Sequence, residues 1–168
     1  MQPLFVLDTN VFIGAHNGYY APDFCPAFWD CVIRYFHAGR LISIDQVFTE
    51  ITGPSGLVQW VQSAPGGLFV SSQDQSVVTA YRTIMNWVQN NPQFHTAAIS
   101  KFAGVADGWL VAYAQAHSAV VVTHELFDSN AKSRVLIPNV CQQFNVRYMN
   151  TFEMLRQLGV QFDLRPTT

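Results

Sequence analysis

Eleven carboxylates are spread through this 168-residue chain, and five of them fall where they could do chemistry. Asp8 follows the apolar run Leu4-Phe5-Val6-Leu7 and precedes Thr9 and Asn10. Glu50 lies on a helical stretch after a second apolar run, Leu41-Ile42-Ser43-Ile44. Asp107 opens the helical stretch that runs to His117. Glu125 stands just beyond the run Ala119-Val120-Val121-Val122-Thr123, and Asp128 follows it. Carboxylates brought close together repel and raise one another's pKa, so a cluster of them needs protons, cationic side chains or metal ions. Local cations are few here. All-oxygen ligation selects Mg²⁺ or Mn²⁺ over Zn²⁺. Such an ion binds phosphate, acidifies water and stabilises the leaving oxygen of an in-line displacement. Each acid also has a plainer reading. Asp8 and Asp107 could cap helices, Glu50 could be a solvated helix residue, and Glu125 and Asp128 could be ordinary loop acids. Their joint placement is what favours a site.

That placement depends on the elements that carry the acids. Short continuous apolar runs read as strands buried on both faces. Strands are expected at Leu4–Leu7, Leu41–Ile44, Leu68–Val70, Ala119–Thr123 and Val146–Met149, with an edge strand at Val160–Leu164. Helices are expected at Thr9–Ala15, Pro26–Ala38, Gln46–Thr52, Leu57–Ser63, from an Asp74 cap to Asn90, and at Phe94–Phe102. Three more follow, at Ala106–His117, Pro138–Phe144 and Thr151–Leu158. His16–Pro26 reads as an aromatic, proline-containing loop. Strands alternating with helices imply an α/β fold with a mostly parallel sheet covered on both faces, here a single domain over residues 1–168. Parallel strands deliver their carboxyl ends to one edge, and ligands bind in the crevice outside that edge. The strand order does not follow from the sequence.

Composition narrows the partners. Hydrophobic residues make up 49% of the chain and charged residues 12%, and the net charge is -2, unlike the strongly basic balance of a non-specific nucleic-acid binder. Lys101 and Lys132 are the only lysines. Cys25, Cys31 and Cys141 fit no metal-ligand spacing and read as free thiols of a reducing cytoplasm. No apolar run approaches the ~18 residues of a membrane span, and no signal peptide is evident.

The motifs resemble a known family. Val6-Leu7-Asp8-Thr9-Asn10-Val11-Phe12-Ile13 resembles the opening of PIN-domain nucleases. Ala106-Asp107-Gly108-Trp109-Leu110-Val111-Ala112-Tyr113-Ala114 resembles their third acidic motif. Val120-Val121-Val122-Thr123-His124-Glu125 resembles the last, usually Thr-x-Asp. Tyr19-Tyr20, Phe24-Cys25-Pro26, Phe28-Trp29, Ser43-Ile44-Asp45, Ile137-Pro138-Asn139-Val140-Cys141 and Thr151-Phe152-Glu153-Met154-Leu155 resemble an uncharacterised bacterial PIN subfamily related to VapC-type toxins.

The resemblance implies a three-layer α/β/α sandwich and a Mg²⁺- or Mn²⁺-dependent ribonuclease. It also implies a toxin of a toxin–antitoxin pair, with RNA as substrate and a small antitoxin protein as partner. Asp8, Glu50 and Asp107 match the first three acids. Glu125 stands where Asp is usual, and Asp128 is near enough to substitute for it. In the resulting scheme Asp8 and Asp107 hold the main ion, Glu50 orients or deprotonates water, and Glu125 or Asp128 completes a weaker second site. Thr9, Asn10 and Thr123 support the acids. Lys101, Lys132 and Arg134 are candidates for phosphate contact, and His124 for carrying a proton. Tyr19–Phe24 could stack on bases or cover a patch in a homodimer. The rival is a PIN-like module that binds RNA or protein and cuts poorly. A haloacid-dehalogenase-type phosphatase needs a second acid where Asn10 stands, and a dinucleotide fold needs a Gly-x-Gly-x-x-Gly that is missing.

Overall fold

The computed structural model describes residues 2–53 and 55–163. Five parallel strands form one sheet: β1 (Phe5–Leu7), β2 (Leu41–Ile44), β3 (Phe69–Val70), β4 (Val120–Val122) and β5 (Arg147–Met149). Every residue of β1, β2 and β4 is buried. That is why they are written almost wholly in Val, Leu, Ile and Phe rather than as an alternating pattern; the exception, Ser43 in β2, satisfies its buried hydroxyl by donating to Leu7 O at 2.7 Å. The spatial order is β3-β2-β1-β4-β5. Phe5 and Leu7 pair with Val120 and Val122 on one side of β1, and Phe5 and Val6 with Leu41 and Ile42 on the other. The order therefore reverses direction between β1 and β4. With right-handed crossovers this reversal sends helices to both faces, giving the expected three-layer α/β/α sandwich.

The helices are α1 (Thr9–Gly14), α2 (Pro26–His37), α3 (Asp45–Glu50), α4 (Gly56–Ser63), α5 (Gln75–Asn90), α6 (Thr96–Ala103), α7 (Asp107–His117), α8 (Ile137–Gln143) and α9 (Thr151–Gln157). Their ends follow local chemistry. The Asp74 carboxylate accepts the N–H groups of Ser76 and Val77 and starts α5, as expected of a cap. Gly39, at φ +67°, ends α2 because a left-handed residue lets its own N–H and that of Arg40 bond back onto the last turn, to Phe36 O at 2.8 Å and Tyr35 O at 2.9 Å.

Two segments depart from expectation. The chain after α1 does not open into a loop at His16 but continues as a π-helical turn, Ala15–Tyr19, closed by Tyr20 N–H donating to Ala15 O at 3.0 Å. Tyr20 then stacks on Phe28 (4.6 Å between ring centroids), and Trp29 Nε1 donates to Tyr20 O, so the aromatic loop is pinned onto α2. Of its rings, Tyr19 and Phe24 remain exposed. Secondly, residues 160–163 form no edge strand, and Leu164 lies outside the described residues. Gly159 turns left-handed at the end of α9, with Val160 N–H donating to Leu155 O. The chain then lies along α2, where Phe162 meets Tyr20 and Leu158 O accepts from Tyr35 Oη.

One close approach fixes the helix that carries Asp107. A Cβ on Gly108 would stand 3.0 Å from Tyr81 Cε2 and 3.1 Å from Phe102 Cε1. Neither ring can yield easily. Phe102 is buried in the core, and Tyr81 is stacked face to face on Trp109 at 3.7 Å. Gly108→Val is therefore expected to cost about 1–3 kcal/mol through overpacking. Thermal unfolding should show this as a melting point roughly 2–10 °C lower; an unchanged melting point would mean that α7 is free to shift.

Candidate active site

Reversal of strand order between β1 and β4 opens a crevice at their carboxyl ends, the place where open α/β sheets bind ligands. A cleft of about 390 Å³ lies there, and Asp8, Glu50, Asp107 and Glu125 all line it. These four acids come from four different elements, separated in sequence by up to 117 residues (125 − 8).

Asp8 leaves β1 in extended conformation, and its backbone N–H still pairs with Val122 O at 3.0 Å. It occupies the N-cap position of α1 but makes no side-chain capping bond, so the capping reading does not account for its carboxylate. That carboxylate is buried, with Oδ2 accepting from Thr123 Oγ1 at 2.8 Å and, more weakly, from Asn10 Nδ2 at 3.4 Å. Thr123 Oγ1 in turn accepts the N–H of Glu125 at 3.1 Å. One hydroxyl thus joins the end of β4 to the end of β1. Burial pushes the Asp8 pKa up to about 6; the Thr123 hydrogen bond opposes this, and the charges of Glu125 and Glu50 add to it.

Glu50 ends α3 and ties three elements together. It accepts from the Thr9 hydroxyl on one oxygen and from the Ala106 N–H, 2.7 Å away, on the other. A carboxylate at the N-terminus of α7 is favoured by the exposed N–H groups there. Asp107 is the first residue of α7 rather than its cap. Burial, followed by the charges of Asp8, Glu125 and Glu50, raises its pKa to about 8, with only Arg134 opposing. Among the described residues no group donates a hydrogen bond to it. The cleft therefore carries more negative charge than its own side chains neutralise.

Not every expected residue converges. Lys101 and Arg134 line the cleft, but Lys132 and Asp128 lie outside its lining, on the exposed loop between β4 and α8. The Asp128 carboxylate accepts the Asn130 N–H at 2.8 Å, while its backbone is held by the Asn139 amide. It serves the loop's own turn. His124 faces away as well, with Nε2 2.9 Å from the Thr151 hydroxyl among Tyr19 and Phe152. The hydrophobic wall of the cleft, Ala98, Phe102, Val105 and Val135, was not expected. It carries no sequence signal beyond ordinary apolar patterning.

The donor set suits a hard divalent cation: carboxylate oxygens alone, two of them with raised pKa, and one carboxylate without a donor. Among the described residues no three His, Cys, Asp or Glu side chains are gathered to hold one ion between them. Mg²⁺ does not require that, since it keeps several waters and is usually held by one or two carboxylates together with substrate phosphate. Asp8 and Asp107, both lining the cleft with raised pKa, are the carboxylates that could take that part.

Fold and cleft together define an α/β/α domain with an acidic crevice at the switch point of its parallel sheet. The model of the DUF4411 family, a domain of unknown function, matches residues 5–162, and the chain belongs to that family. Among solved structures, the crystal structure of FitAcB from Neisseria gonorrhoeae is similar in fold. It is 17% identical, covering 89% of this chain and 99% of that chain, with a TM-score of 0.53. No curated protein matches. Among the described residues no helix is long and apolar enough to cross a membrane.

Proposed function

We propose that this protein is a Mg²⁺- or Mn²⁺-dependent endoribonuclease that hydrolyses RNA phosphodiester bonds. The observation that supports this reading most is the convergence of Asp8, Glu50, Asp107 and Glu125 on one cleft that is short of positive charge. Asp8 and Asp107 would hold the ion. When bound, it supplies charge for the phosphate oxygens and acidity for the attacking water. Thr123 keeps Asp8 aimed at the cleft. The Glu50 oxygens each hold one donor and keep a free lone pair, with which Glu50 orients the water and accepts its proton. Lys101 and Arg134 offset the acidic field toward an approaching phosphate. The water oxygen joins phosphorus as the bond to a ribose oxygen breaks. The motifs shared with PIN toxins extend the reading to the toxin of a cytoplasmic toxin–antitoxin pair, inhibited by a small protein, with a homodimer as a further expectation.

Asp8→Asn tests the scheme. The substitution keeps size and burial but removes the charge of an ion ligand. Cleavage of single-stranded RNA in Mn²⁺ is expected to fall by at least about 100-fold, more than the 10–100-fold typical of losing a residue that only supports a ligand. Undiminished cleavage would rule the scheme out. One observation favours a second reading, a PIN-like module that binds RNA or protein and cuts poorly: both oxygens of Glu125 are already engaged within the protein. RNA binding by the purified chain, without cleavage over a range of substrates and metals, would select it.

A further inference from the structure

Glu125 lines the cleft, yet its carboxylate is directed elsewhere. Oε1 accepts from Arg134 Nη2 at 2.6 Å, and Oε2 accepts the Ile137 N–H at 2.8 Å. The Glu125 side chain is almost wholly buried, whereas that of Arg134 is more than half exposed. The loop that carries Arg134 is held from outside as well. Gln93 Nε2 donates to Ala131 O at 2.8 Å, and Lys132 O accepts the His95 N–H at 2.9 Å. A buried, doubly engaged carboxylate on a tethered loop is a fixed group, and the cation it grips is the part with freedom at the cleft mouth. The charge of Arg134 is felt at Asp107, where it is the only influence opposing the raised pKa.

Resting on the ribonuclease reading, we propose that Glu125 is a positioning residue and not an ion ligand. It orients Arg134 over the cleft as the cation that receives an RNA phosphate. The additional methylene of Glu relative to Asp is what this arrangement uses. From the end of β4 the longer side chain spans to the first N–H of α8 and to the guanidinium together, which the shorter one cannot do. Arg134 offers further N–H donors beyond the one given to Glu125, so it can hold a phosphate without releasing its support.

The test uses two titrations on the full chain and on Glu125→Asp, Arg134→Ala and Arg134→Lys. The first follows Mn²⁺ binding by calorimetry. The second follows binding of a single-stranded oligoribonucleotide in chelator, as a function of salt. Glu125→Asp preserves charge, so any change reflects reach. Its Mn²⁺ affinity is expected to stay within about twofold, because a change in a direct ligand would cost more than the 10-fold or greater loss seen even for supporting residues. Arg134→Ala is expected to lower the slope of log affinity against log salt by about 0.7, the value of one lost phosphate contact on a single strand. Glu125→Asp should move the slope in the same direction, and Arg134→Lys should preserve it. Circular dichroism confirms folding of each variant, and the exposure of Arg134 makes its variants safe in that respect. A several-fold change in Mn²⁺ affinity for Glu125→Asp, or an unaltered salt slope for Arg134→Ala, overturns the proposal. In a wild-type chain that still cleaves RNA, either result leaves the ribonuclease reading standing. A wild-type chain that binds RNA through Arg134 but never cleaves it removes the ribonuclease reading and keeps the clamp.

Discussion

In metal-free buffer near pH 8, Asp107→Asn is expected to be more stable than the wild-type protein by about 3 kcal/mol, and once Mn²⁺ is supplied it is expected to cleave RNA at least about 100-fold more slowly than the wild type. The stability gain comes from the folded-state pKa of Asp107, raised from 3.8 to about 8 by burial and then by the charges of Asp8, Glu125 and Glu50. An acid whose pKa is raised on folding holds its proton more tightly when folded. Its favourable contribution is complete below the unfolded pKa and is lost as pH rises toward the folded value. Between about pH 4 and pH 8 the unfolded chain releases this proton and the folded chain does not, so wild-type stability declines across that window. Full linkage over the window would be about 5 kcal/mol, and solvent reaching the cleft mouth reduces this to about 3 kcal/mol. Asn is neutral throughout and has no such decline.

The difference should therefore grow with pH, reaching roughly 6–12 °C in melting temperature near pH 8 and disappearing near pH 4. Saturating Mn²⁺ should narrow the gap. An ion at about 100 times its Kd adds about 2.7 kcal/mol to the wild type and much less to the variant that lacks a ligand. Thermal melts at several pH values, with and without Mn²⁺, read both effects. A melting difference independent of pH would show that burial and the neighbouring acids do not raise the Asp107 pKa. In that case the cleft would not need a cation at all.

The same acids show how far the sequence could be read. Asp8 was legible because parallel strands are buried on both faces and so announce themselves as apolar runs, and an acid just past such a run lies at the sheet edge; Glu50, on the helix after the second run, and Asp107, at a helix start, were legible through helical patterning and the motif resemblance. Those three indeed meet in one cleft. The far side of the site was not legible. Whether Glu125 or Asp128 enters the cleft depends on where a loop closes, and that depends on the Asn139 amide holding the Asp128 backbone and the Ile137 N–H holding Glu125. Hydrogen bonds with a backbone group on one side leave no mark in a sequence. The π-helical turn escaped for a similar reason. Tyr20 is drawn into the stack with Phe28, a tertiary contact that overrides the loop character of Asn17 and Gly18. The missing edge strand was a competition between two surfaces. Apolar residues after α9 suit a sheet edge or a helix face equally well, and Gly159 turns them toward the face of α2.

Thr123 is the joint between the legible and the illegible halves, and Thr123→Val is expected to disable the site while changing its shape least. The substitution is nearly isosteric and suits a strand end. It removes the donor to Asp8 Oδ2 and the acceptor of the Glu125 N–H in one step. Leaving such buried groups unpaired costs about 1–3 kcal/mol each. The Thr123 hydrogen bond is the main influence holding the Asp8 pKa down against burial, so its loss raises that pKa above the wild-type value of about 6. Less Asp8 is then ionised at neutral pH, and an ion must displace a proton in order to bind. Mn²⁺ affinity and RNA cleavage near pH 7 should each fall about 10–100-fold. Both should recover partly by about pH 9, where Asp8 is ionised again. Thr123→Ser, which keeps the hydroxyl, should retain the wild-type profile. A Val variant whose loss is the same at every pH would mean that Thr123 only packs, and that Asp8 is held in its orientation by the backbone alone.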